Sequence, residues 1–116
     1  MTRVLILADD DCIRFTCVEV LARAGFHASS AELAALPAEA PEAVLLLEKE
    51  ADALATVRST YPEVPVLVCT WDHRRAWPGA DAVIQLPFNA DRVSMMLFKI
   101  IRANQIGARP ARATAA

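Results

Sequence analysis

The sequence has little of what marks several large classes of protein. Its formal net charge is only −2 over 116 residues, which gives no electrostatic reason to expect a nucleic-acid partner. The apolar run that precedes the first acids, residues 4–8, is far shorter than a secretory signal core or a membrane span. The three cysteines are an odd number without metal-site spacing, as is usual for reduced thiols. We therefore expect one cytoplasmic domain that contacts neither nucleic acid nor membrane.

Short apolar runs alternate along the chain with segments of helical periodicity. The runs predict five strands, at residues 4–8, 26–29, 43–47, 64–69 and 82–86. Helices are expected between the acids and Gly25, over residues 51–60, and from an N-cap at Asn89 to about Gln105. Strands that alternate with helices in this way predict an α/β fold with a doubly wound parallel sheet.

Two of the connections are too short for ordinary helices. Residues 31–36 allow little more than a turn or two before Pro37. The segment after the fourth strand is interrupted by Pro78 and Gly79. The second and fourth helices of the fold are therefore predicted to be shortened.

Three consecutive aspartates, Asp9 to Asp11, end the first strand. Open parallel sheets bind ligands at the carboxyl ends of their strands, and adjacent carboxylates favour a divalent cation such as Mg²⁺. Alternatively, Asp10 and Asp11 only start the following helix, because acids stabilise a helix N-terminus. The spacing of the residues does not choose between the two interpretations.

Three ordered segments resemble the receiver (CheY-like) domain of bacterial response regulators. Residues 4–14, with Leu21 and Gly25, look like its first strand, acids and first helix. Residues 64–70 resemble its fourth strand with a terminal Ser/Thr, and residues 79–88 resemble its fifth strand and the Pro-Phe turn. The resemblance implies a flavodoxin-like five-stranded sheet in the order 2-1-3-4-5. It covers residues 1–106, so that residues 107–116 are expected to be a disordered tail or linker.

The resemblance fails at the residues that carry the family's chemistry. The pair of acids after the first strand falls on Ala8 and Asp9, so that only the second is kept. The phosphoacceptor aspartate falls on Leu47, and the lysine that would hold the phosphoryl group falls on Leu86. Glu48 adjoins the acceptor position, but a one-residue slip in a strand turns the side chain to the other face.

The switch positions of the family are only partly kept. Thr70 matches the Ser/Thr at the end of the fourth strand, whereas Val83 stands at the aromatic position of the fifth. Phosphoryl transfer needs an attacking oxygen, a cation held by oxygens and positive charge on the transferred group. Leucine stands at the positions of the attacking oxygen and of the positive charge. Asp9 and Asp10 would hold Mg²⁺ weakly at best. If the two leucines pack together above Thr70, the pocket is filled with hydrocarbon.

The resemblance thus implies a phosphorylation-independent (pseudo-)receiver domain that is not an enzyme and has no cofactor. Its expected role is that of a protein–protein interaction module in bacterial two-component signal transduction. The contact surface is expected on the first and last helices, which carry spare apolar side chains: Phe15, Val18, Ala22, Met95 and Phe98. Either these side chains cover one another as core, or a signalling partner or a second copy covers them.

A nucleotide-binding module is the alternative function. Two arginines lie between Trp71 and Trp77, and such a segment could stack a base and pair a phosphate. The simpler interpretation is that the tryptophans fill the space left by the missing helix while the arginines face water. No Gly-rich phosphate loop accompanies the segment, which favours the simpler interpretation.

Overall fold

The computed structural model of the protein describes residues 2–47, 51–72 and 74–107. Five strands form one parallel sheet. They are β1 Arg3–Ala8, β2 His27–Ser30, β3 Ala43–Leu47, β4 Val66–Thr70 and β5 Ala82–Gln85. Their order is β2-β1-β3-β4-β5, which confirms the predicted flavodoxin-like topology.

Three α-helices of the described residues pack on this sheet. They are α1 Asp11–Arg23, α2 Ala51–Thr60 and α3 Ala90–Gln105. The connection between β2 and β3 contains only a single 3₁₀ turn, Leu33–Ala35, and the described part of the connection between β4 and β5 contains no helix. The second and fourth helices are therefore reduced, as the sequence predicted. Among the residues that the structure describes, no helix is both long and apolar enough to cross a membrane.

Four of the five strands differ from the sequence prediction by one or two residues at one or both ends, and among these differences β1 starts at Arg3, β2 ends at Ser30 and β4 ends at Thr70. β2 starts at His27 rather than Phe26, whose side chain is buried beneath the end of α1. β4 starts at Val66 rather than Val64, because Pro65 has no N–H to contribute to a ladder. β5 ends at Gln85, one residue early. Of the expected tail, only Gly107 lies within the described residues, and Glu48 lies outside them.

The sheet separates two apolar clusters. One cluster lies beneath α1 and α3 and takes alternate residues of the strands, among them Ala8, Leu47 and Cys69. The other lies beneath α2 and the 3₁₀ turn and includes Leu54 and Trp77. Because β1, β3 and β4 are covered on both faces, they read in the sequence as continuous apolar runs.

A buried ion pair joins α2 to the amino ends of β4 and β5. The Arg58 guanidinium lies 2.6 Å from Asp81 Oδ2 and donates to the Gly79 carbonyl at 2.7 Å. The same carboxylate oxygen accepts the Val66 backbone N–H at 2.8 Å. The two side chains are only 14% and 2% exposed, so the pair fixes the edge of the sheet opposite to the candidate site.

Candidate functional site

A row of apolar side chains at the carboxyl edge of the sheet surrounds Leu47, the position that the resemblance aligns with a phosphoacceptor. Leu47 lies in register with Ala8 on β1 and with Cys69 on β4, and Cys69 pairs in turn with Ile84 on β5. All four side chains belong to the cluster beneath α1 and α3. Leu47 is 2% exposed, so its side chain fills a closed, apolar space rather than lining an open pocket.

Leu86 completes this cluster from the end of β5. It is 6% exposed and lies two residues beyond Ile84, on the same face of the sheet. Ala8, Leu47 and Leu86, which the resemblance aligns with an acid, the phosphoacceptor and the lysine, are therefore all in one hydrocarbon cluster. This arrangement offers neither a nucleophilic oxygen nor a cation.

Thr70 does not lie beneath these leucines, contrary to the expectation from the sequence. Successive side chains of a strand alternate between faces, so Thr70 shares the face of Val68, whereas Cys69 shares that of Leu47. The Thr70 hydroxyl is buried and accepts the Asp72 backbone N–H at 3.0 Å. Thr70 therefore fixes the start of the loop after β4.

The three aspartates after β1 have separate roles. The Asp10 side chain accepts the Ile13 backbone N–H at 3.0 Å and caps α1, while Asp11 pairs with Arg14 one turn later. Asp9 is exposed, and with Asp11 and Arg14 it helps to line a cavity of about 290 Å³. For Asp10 and Asp11, the structure thus supports the interpretation in which the acids start a helix.

These acids do not fit the oxygen set that Mg²⁺ requires. Mg²⁺ takes octahedral oxygen ligands and relies on carboxylates together with phosphate oxygens. In the described part of the chain, no three His, Cys, Asp or Glu side chains are arranged to hold a metal ion. Asp10 is occupied by the helix cap, and the neighbouring acceptor position is the hydrocarbon of Leu47.

Burial makes two of the cysteines poor nucleophiles. It raises the pKa of the Cys17 thiol to about 11. The pKa of Cys69 rises to about 12, because of burial first and the nearby Cys17 second. Both thiols are therefore protonated at neutral pH, and the structure supplies no cysteine nucleophile beneath α1.

The two tryptophans of the segment from Trp71 to Trp77 differ in burial, and Trp77 agrees with the simpler interpretation, in which a tryptophan fills the space left by the missing helix. Trp77 is 5% exposed, packs in the cluster beneath α2, and donates from its indole N–H to the Asp72 carbonyl at 3.2 Å. The Arg75 guanidinium lies 5.2 Å from the centroid of the Trp77 ring. Trp71, by contrast, is 60% exposed. Trp77 thus occupies the place of the missing helix, and the partly buried Val83 packs against the same cluster.

The outward surfaces of α1 and α3 form what we call the two-helix face, and three large apolar side chains on it are exposed. Phe15 on α1 is 72% exposed, and Met95 and Phe98 on α3 are 62% and 54% exposed. The other two predicted members differ, because Val18 packs partly against the core and Ala22 is exposed but small. The three large side chains therefore do not cover one another as core.

Phe98 is held in place although half of it is exposed. Its ring centroid lies 4.8 Å from that of Phe26, at an interplanar angle of 33°. Phe26 is itself buried at 1% exposure. A ring that is fixed on one side and exposed on the other can contact a partner without a large loss of side-chain entropy.

The sequence analysis missed the Arg58–Asp81 pair and the charged residues around the two-helix face. No local pattern could have indicated the pair, since its members lie 23 residues apart. The surface charges could have been found from helical spacing, because Asp11 and Glu19 are each one turn from Phe15.

Comparison with solved structures supports the fold. A CheY-like response regulator receiver domain protein from Methanospirillum hungatei aligns with a TM-score of 0.78 and 19% identity, over 92% of this chain and 98% of that one. A receiver domain protein from Clostridium thermocellum aligns with a TM-score of 0.77 and 14% identity, over 91% and 98%. NtrX from Brucella abortus in complex with ADP aligns with a TM-score of 0.76 and 23% identity, over 92% of this chain but only 29% of NtrX.

These similarities establish that the chain has the receiver-domain fold of two-component response regulators. No protein-family model matches the sequence, and no curated protein is similar to it at a significant level. The chain spans less than a third of NtrX, so this similarity concerns the fold and does not extend to the activity of the whole NtrX protein.

Proposed function

We propose that this protein is a phosphorylation-independent receiver-fold domain that works as a protein–protein interaction module in bacterial two-component signalling, in the cytoplasm. The burial of Leu47 and Leu86 in one apolar cluster carries the proposal. At the carboxyl edge of the sheet, this cluster stands where phosphoryl transfer would need a nucleophile and a cation.

Several of the remaining polar groups in the described part of that edge are already used within the fold. Asp10 caps α1, Asp11 pairs with Arg14, and the Thr70 hydroxyl is used by the loop after β4. Catalysis of phosphoryl transfer is almost entirely positioning and electrostatic stabilisation. A site without these charged residues therefore provides too little positioning and too little electrostatic stabilisation. This supports a role in binding and not in catalysis.

The two-helix face is the surface through which we propose that the domain acts. Soluble monomers seldom expose several large apolar side chains on one face unless that face binds something. Phe15, Met95 and Phe98 are large, exposed and set on rigid helices, as anchor residues of interfaces are. A signalling partner or a second copy of the chain would cover them.

Phosphoryl donors and their analogues test this proposal. We expect acetyl phosphate with Mg²⁺ to leave the intact mass of the protein unchanged, and beryllofluoride with Mg²⁺ to produce no bound fluorine resonance. A phosphorylatable receiver treated in parallel is the control for the reagents. A stoichiometric phosphoprotein would refute the proposal, and the variants Asp10→Asn and Glu48→Gln would then identify the acceptor.

A further inference from the structure

A cavity of about 270 Å³ lies at the amino edge of the sheet, next to the end of α3. Glu42, directly before β3, and Glu63, in the loop before β4, are among the residues that line it. Its lining also includes the buried residues Val64, Pro65 and Ile101. The cavity therefore combines apolar surface with two carboxylates.

The charge around this cavity favours a cationic occupant. Its lining residues in the described part of the chain include two carboxylates and no cationic side chain. Arg3 donates only its backbone N–H to Glu42 Oε1, at 3.2 Å, while its guanidinium pairs with Glu39 at 2.6 Å. The last turn of α3 also lines the cavity, and the C-terminus of a helix carries the negative end of its dipole.

The chain itself supplies a cationic segment next to this place. Residues 108–116, which follow the described part of the chain, contain Arg109 and Arg112 and no acidic side chain. Apart from Pro110 and Thr114, the other residues of the segment are alanines. Its two positive side chains equal the two carboxylates of the cavity in number and are opposite to them in sign.

The end of α3 places this segment beside the cavity at the amino edge. Gln105 lines the cavity, and Gly107 follows the helix in the left-handed conformation, at φ 74°. Arg109 comes two residues after Gly107, so that their Cα atoms lie within about 7 Å of each other. The acidic cavity lined by Asp9 and Asp11 lies at the carboxyl edge, where α3 begins, and a helix of 16 residues is about 24 Å long. Arg109 is therefore close to the first cavity and far from the second.

We propose that residues 108–116 of the same chain bind in the cavity at the amino edge. Arg109 and Arg112 lie beside its two carboxylates, and the alanines contact its apolar lining. A segment tethered this closely has an effective concentration on the order of millimolar at its site, so that a contact too weak to hold a free peptide can hold it. Binding would hold the chain that leaves α3 against the domain, in place of the disordered tail or linker expected from the sequence. The proposal is independent of the proposed function, which concerns other surfaces.

NMR of the full chain tests this proposal through the heteronuclear NOE of the Ala111 and Ala113 backbone amides. This NOE is positive for ordered residues and negative for residues that move freely on the nanosecond timescale. We expect positive values in the parent at low salt. Arg109→Glu with Arg112→Glu, the tail variant, should make them negative, and so should about 1 M salt, at which charges are screened beyond about 3 Å. The tail variant changes only residues beyond Gly107, so that it leaves the folded domain intact.

Charge reversal in the cavity provides the other half of the test. Glu42→Arg with Glu63→Arg, the cavity variant, should also make the NOE values negative. The combination of the tail and cavity variants should restore positive values, because the facing charges are again opposite. Arg74→Glu with Arg92→Glu is the matched control, since it changes the net charge as the tail variant does, at exposed sites near the carboxyl edge, and should leave the values positive.

Circular dichroism checks that the variants are folded, and if the cavity variant does not fold, the tail variant and the salt dependence decide. Negative values in the parent, positive values in the tail variant or in the folded cavity variant, or negative values in their folded combination would each overturn the proposal. Order that disappears on dilution would also overturn it, because the occupant would then be the segment of a second copy. The phosphoryl-donor experiment does not depend on these outcomes, so that the two proposals can fail separately.

Discussion

Placing a carboxylate at position 47, which the resemblance aligns with the phosphoacceptor, should destabilise the protein rather than activate it. Leu47 is 2% exposed and is flanked in register by Ala8 and Cys69, so the change Leu47→Asp places a carboxyl group among hydrocarbon. Nothing in the apolar cluster around it offers a cation to pair with that group. The variant Leu47→Asn is the matched control, because it has nearly the same shape and does not ionise.

The expected decrease in the free energy of unfolding of Leu47→Asp has two parts. Removing the buried leucine side chain costs about 2 to 5 kcal/mol, as other large-to-small core substitutions do. Burial also raises the pKa of a carboxyl group, by up to about 3 to 5 units, whereas the unfolded chain ionises near its usual value of about 3.9. At about pH 7 the charged part can therefore reach about 4 kcal/mol, at 1.36 kcal/mol per pKa unit. The sum is comparable with the whole stability of a typical domain, about 5 to 15 kcal/mol.

The pH dependence separates the two parts. A carboxyl group whose pKa is raised in the folded protein binds its proton there while the unfolded chain has released it, so stability falls as the pH rises above about 4. We expect Leu47→Asp and Leu47→Asn to be similarly stable near pH 4 and to diverge by about 1.4 kcal/mol per pH unit above it, in urea denaturation followed by circular dichroism. Equal stability of the two variants at neutral pH, close to that of the parent, would show that the site is open to water and would refute the reasoning.

Two further predictions concern buried polar groups. Arg58→Met leaves the carboxylate of Asp81 buried without its guanidinium, so the free energy of unfolding in urea should fall by about 3 to 5 kcal/mol, with Arg58→Lys intermediate. A loss below about 1 kcal/mol would contradict the burial of the pair. Only Cys12 should react with a thiol reagent at about pH 8 in the native protein, because burial raises the pKa of Cys17 to about 11 and that of Cys69 to about 12. All three thiols should react in denaturant, and a second fast thiol in the native state would show that α1 opens.

The sheet could be predicted from the sequence because its central strands are covered on both faces. Such strands produce continuous apolar runs such as residues 4–8 and 43–47, and the aspartates and Gly25 mark where a helix begins and ends. The ends of the outer strands were less predictable. Whether Phe26 belongs to β2 or lies beneath α1 depends on packing with Phe98, which is distant in sequence.

The candidate site could be predicted only in part. That the side chain at position 47 is not a nucleophile was evident from the sequence, whereas the burial of Leu47 depended on the register of β1, β3 and β4. The direction of the Thr70 side chain follows from the alternation of a strand, and the sequence analysis did not apply it. The two tryptophans differ in burial because one fills the space of a missing helix, which composition does not indicate.

The closed site and the exposed face together favour a particular kind of regulation. A modification can shift a protein between two conformations only if it interacts differently with each of them. In the described part of the carboxyl edge of this sheet, the Leu47 side chain is buried and the Thr70 hydroxyl is fixed to the loop after β4, so neither side chain is placed to respond to phosphate. Association through the two-helix face, as proposed above, would instead follow mass action, because the fraction of the protein in a complex rises with the concentration of whatever covers the face. On that proposal, the signal that this domain transmits is therefore the concentration of the protein that covers Phe15, Met95 and Phe98, whether a signalling partner or a second copy of the chain.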